Sequence, residues 1–204
     1  MEHVKTRRER YVESTRAALI DTGRRFFAER GFNEVSAEEL VRDAGLTRGA
    51  LYHHFAGKQG LFEAVFEELE AQAAERITTA MATASSANTT SGRDGAWVRA
   101  EAGIRAFLEI CSDPEYREIV LLQGPIALGW RRWRELDQRY LGTILTDGLT
   151  ALLGESGAHP IGLTTAAFYG ALTELALSMA DAGDPVQARD EALHLIRGML
   201  NGIR

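Results

Sequence analysis

"GLTRGALYHHFAGKQGLF", residues 45–62, decides how this chain folds. Thr47 carries a hydroxyl where a short helix would need its first N–H groups satisfied, so it reads as an N-cap. Leu51 and Phe55 fall four residues apart and predict the buried face of that helix. "AGK", residues 56–58, breaks it, and a new apolar period starts at Leu61. The adjacent pair His53 and His54 raises the question of a metal site. Neighbours on a helix point about 100° apart and cannot readily share one ion. One histidine is therefore expected to face outward and the other to pack, with no metal bound.

The preceding stretch, "SAEELVRDAGL" at 36–46, opens with a capping box. In the S-x-x-E spacing Ser36 and Glu39 each satisfy a free backbone N–H at the other's position. The two short helices are joined by "AGL", and a glycine there permits the positive φ that lets the second helix cross the first sharply. That is the layout of a helix-turn-helix. In such a motif the second helix enters the DNA major groove by its N-terminal residues. Thr47, Arg48 and Gly49 occupy that end. Arg48 is chemically suited to the O6 and N7 of guanine, and Gly49 permits close approach.

Outward from this core the whole chain predicts helix. Before the motif, Leu19, Ile20, Gly23, Phe26 and Phe27 share one face of a segment that Gly31 would stop. After it, Leu61, Phe62, Val65, Phe66 and Leu69 form one stripe of a long helix. "TASSANTTSGRDG", residues 83–95, lacks any apolar period and predicts a loop. Asp113-Pro114 and Asp184-Pro185 each predict a helix start, the aspartate as N-cap and the proline in the first turn. The stretch from Pro125 to Gly157 predicts continuous helix, kinked near Gly124-Pro125. The expected fold class is all-α with about nine helices. A helix-turn-helix head at 1–60 precedes a larger helical body at 61–204.

Bulk properties bound the function. The 204 residues carry a net charge of −6, yet residues 1–60 hold eleven Lys and Arg against nine Asp and Glu. A mildly basic head on an acidic body can still be steered toward a polyanion, because steering follows local potential. No apolar run reaches the roughly 18–20 residues of a membrane span, and the charged start does not resemble a signal peptide. A cytoplasmic location is expected. Cys111 is the single cysteine; on an apolar face with no basic cluster it predicts a buried thiol. No nucleophile elbow, zinc motif, P-loop or dinucleotide fingerprint is present, so neither an enzyme nor a cofactor is expected.

The run "AALIDTGRRFFAERGFNEVSAEELVRDAGLTRGALYHHFAGKQGLFEAV" resembles the DNA-binding domain of the TetR family of transcriptional regulators. The resemblance covers roughly the first 65 residues closely and the rest only as a helical body of suitable length. It implies a homodimeric regulator, most often a repressor, released from a pseudo-palindromic double-stranded DNA operator by a small-molecule inducer. Residue by residue, it implies that Ser36 caps the first motif helix and meets a phosphate. Thr47, Arg48 and Gly49 would face the major groove, Tyr52 and His53 would contact backbone phosphates, with a base as the alternative for His53, and Lys58 would hold a phosphate. The arginines at 7, 8 and 10 would add charge contacts.

In the body, the aromatic residues taken singly each read as core. The resemblance implies that some enclose an inducer pocket, and Phe107, Cys111, Gln123, Trp130, Trp133 and Phe168 are the candidates, with Gln123 as the polar anchor. It further implies that the last two helices pair with their copies across a two-fold axis. The candidate interface is Phe168, Leu172, Leu175, Met179, Leu193, Ile196, Met199 and Leu200. An apolar stripe of that size needs a partner, although part of it is expected to pack within the monomer.

Overall fold

The computed structural model describes residues 6–87, 92–154, 160–180 and 182–203, with the side chains of Arg8, Ala180 and Pro185 excepted. Nine helices run through these residues, and no strand occurs among them. They are α1 (Arg7–Arg30), α2 (Ala37–Asp43), α3 (Arg48–Phe55), α4 (Lys58–Ala87) and α5 (Gly92–Cys111). Then follow α6 (114–128), α7 (130–153), α8 (Ile161–Ala180) and α9 (Pro185–Gly202). Both α6 and α7 carry a π-helical stretch, Arg117–Gln123 and Gln138–Gly142.

The helix starts follow from their caps. Ser36 accepts from the Glu39 N–H while the Glu39 carboxylate accepts from the Ser36 N–H and hydroxyl, at 3.2, 2.9 and 2.7 Å. Those bonds, with Arg30 alongside, hold the Glu39 carboxyl down at about 2. Thr47 accepts from the Ala50 N–H at 3.2 Å. Asp113 and Asp184 cap α6 and α9 as their Asp-Pro pairs predict. Gly31, at φ +76°, ends α1, and Gly45, at φ +66°, turns the chain between α2 and α3.

Two expectations are corrected. The predicted loop at 83–95 is largely helical, since α4 reaches Ala87 and α5 begins at Gly92; residues 88–91 lie outside the description. The alanines of 80–87 keep helix propensity high, and an exposed helix end needs no apolar period. The predicted continuous helix after Pro125 breaks at Gly129, which sits at φ +77°. Gly124 is required by packing: a Cβ there would lie 2.6 Å from Cδ1 of Trp133.

One apolar cluster joins head and body. It includes Leu19, Phe27, Leu40 and Leu51 of the head, Phe62 and Phe66 of α4, and Ile119 and Trp133 beyond. Phe27, Phe32 and Phe62 meet with ring centroids 5.1–6.0 Å apart. Burial on this scale is the dominant favourable contribution to folding. α4 starts inside the head and runs 30 residues into the body, so a single helix connects the two. A second cluster around Leu149, Phe168 and Ile196 and a third around Leu108, Met179 and Leu193 hold α8 and α9 onto α5 and α7.

Candidate DNA-reading head and effector cavity

The head presents the N-terminal end of α3 to solvent. Thr47, Arg48, Gly49, Tyr52 and His53 are all exposed, while Leu51 and Phe55 are buried against α1 and α4. His54 is half-buried beside Phe55, ring centroids 6.1 Å apart, and burial lowers its pKa. His53 and His54 thus divide as outward and packing residues. No group of three or more potential metal ligands occurs among the described residues. Close approach of α3 to α4 depends on Gly60, where a Cβ would fall 1.6 Å from the Phe55 carbonyl oxygen. Tyr52 lies against Gly57, whose φ of +108° suits only glycine.

Two of the cations expected to meet DNA are engaged within the protein. Arg48 pairs with Glu38 at 2.6 Å, both side chains being about 60% exposed, and its guanidinium lies 5.6 Å from the Tyr52 ring centroid. Lys58, expected on a phosphate, instead donates to the carbonyls of Phe32 and Val35 at 2.9 and 2.8 Å and sits 4.1 Å from the Phe32 ring centroid. Two of its three donors are spent on the α1–α2 connection, and partial burial lowers its pKa. The sequence gives no sign of this, because the carbonyls belong to a loop. Arg7 and Arg10 are exposed at the start of α1.

The body contains an apolar cavity of about 90 Å³ between α4, α5, α7 and α8, with Leu200 of α9 at one side. Phe107 and Phe168 line it, as do Ile77, Leu145 and Leu149. Four of the residues expected there lie elsewhere. Cys111 is fully buried in the joint core, and burial pushes its thiol pKa up. Trp133 is buried with its indole N–H donating to the Val120 carbonyl at 2.9 Å. Trp130 is 59% exposed. Gln123 faces the head: it accepts from the Phe32 N–H at 3.2 Å and donates to Glu118 at 2.9 Å. An uncharged polar residue in an apolar run reads as a pocket group, but here it bridges two domains.

Asp137 and Tyr169 also line the cavity. The Tyr169 hydroxyl donates to Asp137, and Asp137 adjoins Glu70 of α4, which is 0% exposed. Tyr116 donates to Glu70 at 3.2 Å. Burial raises the pKa of both carboxyls, Glu70 further by the nearby charge of Asp137, and Asp137 reaches about 6. Nothing in "EELEAQ" or "RELDQR" marks these carboxylates, because in each run the neighbours are equally charged. Glu115, which precedes Tyr116 in the chain, holds Arg24 of α1 at 2.9 and 2.5 Å.

The expected interface residues on α8 and α9 are mostly buried within the monomer. Phe168, Leu172, Met179, Leu193, Ile196 and Leu200 are all buried and Leu175 is half-buried. Met199 alone of the set is exposed, at 41%. The helical period placed the apolar stripe correctly but did not tell an inner face from an outer one. The outer faces carry Leu163 on α8 and Leu195 with Met199 on α9.

These features define an all-helical protein with a helix-turn-helix head fused to a cavity-bearing body. Residues 19–65 match the family model described as bacterial regulatory proteins, tetR family. Residues 97–203 match the tetracyclin repressor-like C-terminal domain. The chain belongs to the TetR family. It is 26% identical to the transposon Tn10 TetC protein of Escherichia coli over 137 residues, 67% of this chain and 64% of that one. It is 37% identical to the transcriptional regulator AcrR of Shigella flexneri over 71 residues, 35% of this chain. These matches span 64% and 32% of the two relatives' lengths. The crystal structure of a TetR-family regulator from Pectobacterium atrosepticum superposes with a TM-score of 0.67 at 32% identity, covering 98% of this chain and 97% of that one. No described helix is long and apolar enough to cross a membrane.

Proposed function

We propose that this protein is a homodimeric, ligand-responsive transcriptional repressor that reads a pseudo-palindromic operator in the cytoplasm. The observation that carries the reading is the exposed N-terminal end of α3, with Thr47, Arg48 and Gly49 foremost and Tyr52 and His53 beside them. Arg48 reads a base edge, and Tyr52, His53 and the capped start of α2 at Ser36 meet phosphates. Residues 1–60 act as the DNA-binding unit and 61–204 as the ligand-binding and dimerising unit. Two heads engage half-sites about one helical turn apart. The uncovered apolar faces at Leu163, Leu195 and Met199 support pairing of α8 and α9 with a second copy. A small molecule in the cavity favours the DNA-incompetent state, which it must bind more tightly than the competent one.

The test is capture of fragmented genomic DNA by the purified protein, with Arg48→Ala as control. The reading expects a few palindromic fragments that the variant does not recover. Equal recovery by both proteins would refute specific reading by α3.

A further inference from the structure

The cavity lining is mostly apolar; its polar side chains are Asp137, Tyr169 and Thr173, of which Asp137 alone carries a carboxylate. Asp137 and Tyr169 face the space, and Glu70 lies against Asp137 from α4. Glu70 and Asp137 are both buried, at 0% and 6% exposure. They bring four oxygens, and the described donors to them are the Tyr116 and Tyr169 hydroxyls. Glu70 Oε2 has no hydrogen-bond partner. The nearest countercharge is Arg134, whose guanidinium stacks 4.6 Å from the Tyr169 ring centroid and makes no hydrogen bond to Asp137. Buried carboxylates are stable when paired and hydrogen-bonded, so this part of the cavity is built for an incoming donor and against an incoming anion.

We propose that the cavity takes an apolar ligand bearing one protonated nitrogen, which docks as a charged donor on Asp137 beside Tyr169, and that it rejects ligands whose polar end is a carboxylate or phosphate. This rests on reading the cavity as the effector site. The hydrocarbon part lies against Phe107, Phe168 and the aliphatic wall of α7. At about 90 Å³ the space is smaller than the roughly 150 Å³ that holds a benzene ring. A ring-bearing amine therefore has to part α4 from α7 as it enters. The same contact reaches the head: Asp137 touches Glu70, Glu70 holds Tyr116, and Tyr116 adjoins Glu115, which grips Arg24 of α1. A cation on Asp137 offsets the charge that Glu70 faces and so changes its bond with Tyr116, at the start of the helix that anchors α1.

The test is calorimetric titration of the full chain with three probes on one skeleton: phenylbutylamine, phenylbutanol and phenylbutyrate. The expected result is amine binding at least about tenfold tighter than alcohol, with no heat from the carboxylate. Asp137→Asn should abolish the preference for amine while the alcohol still binds. Tyr169→Phe, which leaves the carboxylate in place, should keep amine over carboxylate and serves if Asp137→Asn fails to fold. Gly148→Leu fills the cavity from α7, where a Cβ meets nothing within 4 Å, and should remove all binding. Tightest binding by alcohol or carboxylate, lost in Gly148→Leu, would overturn the amine class and leave the cavity reading standing. Absence of any binding that responds to Gly148→Leu would overturn both.

Discussion

Arg48 shows how much a single side chain's partner alters its meaning. The sequence identifies it as the residue for a base edge, and the structure places it at the exposed tip of α3 but in a 2.6 Å pair with Glu38. Exposed pairs of this kind contribute about 0–1 kcal/mol, so DNA can displace Glu38 at little cost. Glu38→Gln frees the guanidinium and removes a negative charge from the DNA-facing side. Affinity for operator and random DNA should both rise a few-fold, less than about 1 kcal/mol, with a steeper salt dependence. Anisotropy titrations across a salt series test this, and unchanged affinity for random DNA would show that Glu38 lies away from the phosphates. Lys58 is the opposite case. Its ammonium is spent on the Phe32 and Val35 carbonyls, so Lys58→Met should lower stability by about 1–3 kcal/mol. The slope of log affinity against log salt should stay as in the wild type; a drop of about one unit would restore the phosphate role.

Among elements, α2 and α3 were legible in the sequence because each signals its own boundaries. Ser36, Glu39, Thr47 and Gly45 specify caps and a turn through bonds to neighbours within four residues. Local chemistry of that kind needs no knowledge of tertiary contacts. Gly60 was not legible, because its neighbour is the carbonyl of Phe55 in another helix. With a Cβ only 1.6 Å from that oxygen, Gly60→Ala has to move α3 off α4. The expected cost is at least about 2 kcal/mol, and operator binding should fall with it, since α3 loses its support. Chemical denaturation provides the measure; wild-type stability in the variant would mean that α3 has room to shift. The same distinction explains Gln123 and Trp130. Helical period identifies a face, but only the partner element decides whether that face meets a cavity, the head or solvent.

At the scale of the molecule, the two outer faces and the buried acids make separate demands. The outer apolar residues of α9 are Leu195 and Met199, whereas Leu193 and Ile196 are buried inside the monomer. Arginines at Leu195 and Met199 should therefore give folded monomers by light scattering, and arginines at Leu193 and Ile196 should unfold the body instead. Persistent dimers in the first variant would place the interface elsewhere. The acids set a dependence on pH. Asp137 titrates near 6 and Glu70 is raised well above its ordinary value, both by burial in a setting that also holds Tyr116, Tyr169, Cys111 and, at its edge, Arg134. The folded state thus binds these protons more tightly than the unfolded chain does. The stability they lend is complete below about pH 4 and is lost as pH rises through the folded values. Glu70→Gln keeps the size and offers Asp137 a permanent donor, removing one titration and one like charge. Between about pH 5 and pH 8 the variant should gain on the wild type by about 1–3 kcal/mol, read as several degrees of melting temperature for a chain of this length. Melting curves that run parallel across that interval would show that the Glu70 carboxyl is not raised above its ordinary value in the folded protein.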